Sequence, residues 1–333
     1  MEFRQAFQPQ PFTVKIEHHH PLMLLGSCFT ENIGAKLRNL KFSLLENPHG
    51  ILFNPISISQ AIEDYINNRQ YTQNDLFYFN ESWHSWNHHS RFSDPNDLAS
   101  IDRINQAIGQ AHQFIQQTEW ILITLGSAFV YQIPQNLAFA GKVFSHHWVA
   151  NCHKVPTDKF VKVLLQPDDI ASRLRKTIDQ VKAINPNVKF IFTISPVRHL
   201  RDGFIENNRS KAALIQAVHQ LVNEENGVFY FPAYELVMDD LRDYRFFAED
   251  MVHPNYLATN YVWEKFLATA MPDDKKALFK EIVQISHARQ HKPFNPHSNA
   301  HQTFKQQHLQ RIQMLLEKYP YINFSEEIDF FSR

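Results

Sequence analysis

The stretch LMLLGSCFTENIGAKLRNL, residues 22–40, changes character once along its length. Residues 22–25 are four consecutive apolar positions, the pattern of a short buried strand. Gly26-Ser27-Cys28-Phe29 breaks that run with a turn of small residues. Thr30 then has N-cap chemistry, and Ile33, Leu37 and Leu40 recur at helical spacing. Strand, tight turn and helix in this order open a βαβ unit.

The same alternation continues outward. Residues 42–45 read as a second strand, and Ser57 as the cap of a helix through Tyr65. Residues 101–116 are helical and 120–126 form a buried strand. A helix over 167–183 places Ile170, Leu174 and Ile178 on one face. Residues 188–194 are the next buried strand, 210–223 a helix, 228–232 a short strand and 255–270 a helix. Two stretches, 71–95 and 132–155, show no period and read as irregular insertions, the first a long loop rich in Trp, His and Asn. Beyond Pro272, helices over 275–287 and 302–318 flank a His/Pro/Asn-rich linker. The expected fold class is α/β, a mostly parallel sheet covered on both faces. It spans residues 1–271, with a helical C-terminal extension over 272–333.

The chain of 333 residues is 44% hydrophobic, enough for a sizeable core, and its 33 basic and 34 acidic residues leave a net charge of -1. That balance gives no footprint for nucleic acid or an anionic membrane, so a small or neutral molecule is the expected partner. Only 8 glycines argue against phosphate-cradling Gly-rich loops, and no cofactor is expected. Two cysteines, Cys28 and Cys152, are too few for a disulfide framework. Residues 1–20 are polar, without a basic segment leading into an apolar one, and the apolar run that follows is too short to span a bilayer. A cytoplasmic setting is therefore expected.

In parallel α/β sheets, ligands bind beyond the carboxyl ends of the strands. The residues able to carry chemistry fall there: Ser27 after the first strand, Asn54 near the second, Gly126 and Ser127 after the third, Ser195 and Arg198 after the fourth. Ser27 projects a hydroxyl at a helix N-terminus, where developing negative charge is stabilised; read blandly, it is a turn residue beside a cysteine. Cys28 is a rival nucleophile, expected to point into the core. In Asp250-Met251-Val252-His253 the carboxylate can hold the imidazole in one tautomer, leaving the other ring nitrogen to take a proton from serine. Otherwise the two simply cap a helix. Oxyanion donors are expected from the Ser27 backbone, Gly126-Ser127 and Asn54, although Asn54-Pro55 equally suits a loop turn. Asn151, His153 and Arg198 are expected to line the pocket, with Arg198 binding a carboxylate or sugar hydroxyl or pairing with Asp202. His84, His88, His89, His146 and His147 lack companion acids at regular spacing and read as loop histidines, not metal ligands. Trp83 and Trp86 read as anchors of the insertion.

Six ordered motifs make the sequence similar to a known family. They are Leu24-Leu25-Gly26-Ser27-Cys28-Phe29 with Asn32-Ile33-Gly34; Asn47-Pro48-His49-Gly50-Ile51-Leu52-Phe53-Asn54-Pro55; Thr124-Leu125-Gly126-Ser127-Ala128; Asn151-Cys152-His153-Lys154-Val155-Pro156; Ser195-Pro196-Val197-Arg198-His199; and Asp250-Met251-Val252-His253-Pro254. Together they resemble the GSCFA-domain family over roughly residues 20–265. That family is grouped with the SGNH/GDSL hydrolases. The resemblance implies a flavodoxin-like three-layer α/β/α sandwich, with Ser27 as nucleophile and Asp250 and His253 completing the triad. Two departures stand out: Cys28 follows the nucleophile where that superfamily often has Leu, and the third block reads Gly126-Ser127-Ala128-Phe129 instead of Gly-x-Asn-Asp. Its oxyanion asparagine is missing from that block, so either Asn54 or another donor has to replace it. The expected activity is hydrolysis of an acyl ester, of an acylated carbohydrate for instance. Acyl transfer with the same triad and a catalytically silent binding module are the alternatives. The sequence leaves the oligomeric state open.

Overall fold

The computed structural model describes residues 5–134, 148–150, 155–291, 294–296 and 298–332, together with the backbone of 137–139 and 142–144. β1 (Leu22–Gly26) leads through Ser27 into α1 (Cys28–Asn39), and β2 (Leu44–Glu46) follows. α2 (Pro55–Ile66) is capped by Asn54 and not by Ser57: the Asn54 side-chain oxygen accepts from Ser57 N at 2.8 Å. Pro55 sits where a helix leaves its first N–H unpaired anyway.

The stretch 71–95 is not a plain loop. It holds a hairpin of β3 (Leu76–Phe79) and β4 (Ser82–Ser85). Its two-residue turn, Asn80-Glu81, has φ of 46° and 60°. The hairpin escapes sequence reading because a glutamate takes the left-handed place where Gly would have announced the turn. α3 (Asp97–Ile115) starts at its Asn96 cap, ahead of the apolar period. β5 (Trp120–Leu125) and β6 (Phe129–Gln132) follow. The second stretch expected to be irregular contains β7 (Leu137–Phe139), β8 (Lys142–Phe144) and β9 (Trp148–Val149). Then come β10 (Val161–Leu164), α4 (Pro167–Ile184) and β11 (Lys189–Ile194). α5 (Gly203–His219) begins seven residues before the expected Ser210, because Phe204 and Ile205 face solvent and hide the period. β12 (Val228–Tyr230), α6 (Ala233–Glu235) with a π-helical continuation Leu236–Leu241, and α7 (Tyr256–Ala270) complete the core. α8 (Lys276–Gln290), α9 (Asn299–Lys318) and α10 (Ser325–Ser332) close the chain; α10 was not legible in the sequence.

The central sheet runs β12-β11-β5-β1-β2, every pair parallel. In chain order this is the flavodoxin-like 2-1-3-4-5 arrangement, whose direction reverses between its first and third strands. Here those strands are β1 and β5, so the crevice opens beyond Gly26 and Leu125. The strands read as apolar runs because both faces are covered. Met23, Leu25, Ile121, Ile123, Phe190 and Phe192 join a core with residues of α2, α4 and α5. Leu22, Leu24, Trp120, Leu122, Ile191 and Phe229 point the other way, into a core with α1, α7 and the C-terminal helices. The fold is thus the three-layer α/β/α sandwich with C-terminal helices.

Ile312, Phe324 and Phe331 of the last helices lie in the same apolar cluster as Phe29 and Leu37 of α1. Lys41, at φ 63° in the α1–β2 turn, donates to both carboxylate oxygens of the buried Glu327 at 2.7 and 2.8 Å. A small antiparallel sheet, β10-β6-β9, grows directly out of Ser127 at the end of β5. Trp86, the residue after β4, stacks on Phe77 with ring centroids 3.6 Å apart, in a cluster with Val149 and Phe160. No helix among the described residues is long and apolar enough to cross a membrane.

Candidate active site

Gly26 ends β1 at φ 146°, and a Cβ there would meet Thr124 O of β5 at 2.4 Å and Thr30 Oγ1 at 2.7 Å. Only glycine lets β1 turn this close to its neighbour. The turn is pinned from β2, since Gly26 N donates to the buried Asn47 Oδ1 at 2.9 Å. Ser27 is thereby placed as N-cap of α1, its Oγ accepting from Phe29 N at 3.3 Å. It is buried, with 2% of its surface exposed, and its hydroxyl donates to Ser195 Oγ at 3.2 Å rather than to His253. Cys28 is only half-buried, and burial pushes its thiol pKa up, away from the thiolate a nucleophile needs.

Asp250 and His253 are joined as expected of a dyad. Asp250 Oδ1 accepts from Val252 N at 2.9 Å and His253 N at 3.0 Å, which fixes the turn. Its Oδ2 lies 2.6 Å from His253 Nδ1. The backbone N–H of His253, then its ring, then Val252 N hold the Asp250 carboxyl down at about 2. An ionised carboxylate only accepts, so Nδ1 carries the proton in this bond and the Nε2 lone pair is left open. The pair is about half exposed.

One segment joins the two halves. Ser195 ends β11, its N donating to Leu125 O and its hydroxyl receiving Ser27. Three residues on, Arg198 N donates to Val252 O at 3.1 Å, inside the Asp250–His253 turn. His199 stacks on Phe53 with ring centroids 4.9 Å apart. A Cβ on Gly126 would meet His199 Nε2 at 2.9 Å, so this ring lies directly on the end of β5. His199 Nε2 is buried and has no hydrogen-bond partner. Burial, then the neighbouring charges of Lys211 and His253, lower the His199 pKa to about 4, so the ring is neutral near pH 7.

Lys211 of α5 lies beneath this floor, fully buried. Its Nζ donates to Gly126 O and to Ser195 O, each at 2.7 Å, tying together the ends of β5 and β11. Burial lowers its ammonium to about 7. The sequence reading places it in a helix and does not single it out. Its signal was spacing: Asn207, Lys211, Leu214 and Val218 form the buried stripe of α5.

Of the expected oxyanion donors, Gly126, Ser127 and Asn54 are otherwise engaged. Gly126 N and Ser127 N both donate to Phe53 O, at 2.7 and 3.3 Å. Ser127 Oγ accepts from Phe129 N and contacts Ser210 Oγ. Asn54 is committed to the α2 cap, its Nδ2 donating to Ser57 Oγ at 2.9 Å. Their bonds hold the loops in shape. Arg198 does not pair with Asp202, which binds Lys162 of β10; its guanidinium lies over Phe247 at 4.0 Å and Tyr244 at 5.0 Å. Asn151, Cys152 and His153 lie outside the described residues, as do His146 and His147. His88 stacks on His49, which bonds Asp64, while His84 contacts Phe79 O and Ser93 Oγ. Among the described residues, no group of three His, Cys, Asp or Glu is placed to hold a metal ion.

The family model described as GSCFA family matches residues 21–266, and that described as GSCFA domain protein, C-terminal domain, matches 282–333. No curated protein gives a sequence match. Among solved structures, the chain is similar to a carbohydrate esterase family 3 from Talaromyces cellulolyticus, at 11% identity, covering 79% of this chain and 99% of that one with a TM-score of 0.37. It is also similar to a Clostridium thermocellum family 3 carbohydrate esterase, at 9% identity, covering 80% and 99% with a TM-score of 0.35.

Proposed function

The chain belongs to the GSCFA family, and from that premise we propose that it is a serine hydrolase of acyl esters, acting through Ser27, His253 and Asp250. The observation that carries this reading is the 2.6 Å Asp250–His253 bond on a turn tied, through the Ser195–His199 segment, to the Ser27 hydroxyl. In the resting site Ser27 is parked on Ser195. Rotation about a single side-chain bond moves its hydroxyl between staggered positions. With ester bound, Ser27 turns to His253 Nε2, gives up its proton and attacks the carbonyl. Asp250 keeps the resulting imidazolium oriented. His253 then protonates the leaving alcohol, and water repeats the sequence to release the acid.

The oxyanion is held by the backbone N–H of Ser27, at the start of α1, and by His199. A neutral imidazole with an unpartnered nitrogen donates without first breaking another bond. It takes the place of the asparagine that the third sequence block lacks. His199→Phe keeps a ring on Phe53 but removes the donor, and kcat is expected to fall about 10²–10³-fold with little change in KM. The same variant reports on acid stability. As pH falls from 6.5 to 4 the unfolded imidazole takes up a proton that the folded site refuses, so stability is lost over that window. The loss is on the order of 3 kcal/mol, and urea melts at pH 7 and pH 4 should show it shrinking in His199→Phe.

The direct test of the dyad is Asp250→Asn. It preserves shape but presents the wrong partner to Nδ1, and kcat on 4-nitrophenyl acetate is expected to drop about 10³–10⁴-fold. A loss under tenfold removes Asp250 from the mechanism. One observation favours a second reading, a binding module without turnover: the Ser27 hydroxyl bonds Ser195 and not His253. That reading predicts no activity for Asp250→Asn to lose.

A further inference from the structure

Arg198 is the feature of this site that ester cleavage leaves unexplained. Its guanidinium packs against the adjoining rings of Phe247 and Tyr244, and its Nη1 is buried with no hydrogen-bond partner. Among the described residues no carboxylate pairs with it. Asp202, next to it in sequence, is taken by Lys162, and Asp243 by Arg245. A guanidinium nitrogen taken out of water without a counter-ion or hydrogen bond is costly, and two aromatic rings replace only part of what water supplied. The side chain packs on the two rings, and its backbone N–H is bound to Val252 O. That bond sets Arg198 beside the Asp250–His253 turn. A planar cation short of one partner beside that turn fits a planar anion.

We propose that Arg198 is the anion subsite of this cleft, and that the natural substrate is an acyl ester carrying one carboxylate, such as an acylated sugar acid. The inference rests on the hydrolase reading for its ester and on Arg198 alone for its charge. A single carboxylate suits the site better than a phosphate. Lys162 and Arg245 are already paired, and His199 is neutral, so none of these three adds a second positive charge beside Arg198. The apolar faces of Tyr244 and Met251, both about half exposed, flank the same turn and suit the carbon skeleton of such a ligand.

The test uses the full chain with sodium D-glucuronate, D-glucose and glucose 6-phosphate as probes. Binding is read by calorimetry on Ser27→Ala protein, where no turnover is needed. Glucuronate is expected to bind at least tenfold tighter than glucose. Adding Arg198→Met should raise its Kd at least tenfold, and Arg198→Lys should restore part of the loss. Arg198→Lys also keeps the charge should the Met variant fold poorly. Equal binding of glucuronate and glucose, or glucuronate binding indifferent to both Arg198 variants, overturns the proposal. So does tighter, Arg198-dependent binding of glucose 6-phosphate, which would move the subsite to phosphate. Because binding is scored without catalysis, the two readings fail separately. Arg198-dependent binding with no cleavage of 4-nitrophenyl acetate by the wild type sinks the hydrolase and spares the subsite; cleavage without that binding does the reverse.

Discussion

Ser27→Ala is expected to lower kcat on 4-nitrophenyl acetate by about 10⁴–10⁶-fold, the scale seen when a triad nucleophile is removed. The same substitution should cost only about 1 kcal/mol of stability. The two effects separate because Ser27 has two jobs. As N-cap of α1 its oxygen accepts one bond, from Phe29 N, at 3.3 Å. That helix is held mainly by Phe29, Ile33 and Leu37 in the core, so a lost cap does not unfold it. As nucleophile, nothing nearby replaces it. Cys28, the neighbour with the right chemistry, starts the helix with its thiol pKa raised by burial. A fall in kcat with a urea midpoint lowered by no more than that cap is worth assigns the loss to chemistry. A fall in both by similar proportions would mean that Ser27 is a cap and nothing more.

The largest stability effect is expected far from the cleft, at Glu327. Glu327→Ala should destabilise the protein by about 2–4 kcal/mol, less than a fully buried pair because Lys41 keeps some contact with water. Glu327 is 1% exposed, and both its oxygens accept from Lys41, whose own position depends on a left-handed turn between α1 and β2. Removing the carboxylate leaves Lys41 without its main partner and loosens α10, which buries Phe331 against the core shared with α1. Urea denaturation measures it. A change under 1 kcal/mol would show that α10 docks by apolar contact alone. Because α1 also carries Ser27, the variant tests whether the C-terminal helices merely stabilise the site: activity per folded molecule should stay within twofold of wild type.

The fold was legible where one local rule dominated. The runs at 22–25, 120–126 and 188–194 could only be strands buried on both faces, and their order placed Ser27, Gly126 and Ser195 at one end of a sheet. What sequence could not show was tertiary. The hairpin at 76–85 turns on Asn80-Glu81, a pair whose left-handed backbone is set by the strands it joins. Lys211 is buried because two strand-end carbonyls meet there, a fact spread over 85 residues of chain. In the site itself, the Asp250-Met251-Val252-His253 spacing foretold a local bond, and that bond is present. The oxyanion expectations for Asn54, Gly126 and Ser127 meet the opposite case, since these donors already have protein partners. Whether a donor is free depends on Phe53 O and Ser57, whose positions only the folded chain fixes. His199 was noticed only as part of a motif; its unpartnered nitrogen appears once Phe53 and Gly126 close around it.

Labelling with a fluorophosphonate tests the central claim most directly, since that reagent reacts with a serine only when a neighbouring base activates it. Folded wild-type protein should take up one adduct, mapped by mass spectrometry to the peptide holding Ser27. Ser27→Ala should take up none, and Asp250→Asn should react markedly more slowly. An unlabelled folded protein, or an adduct on any other residue, would contradict the account.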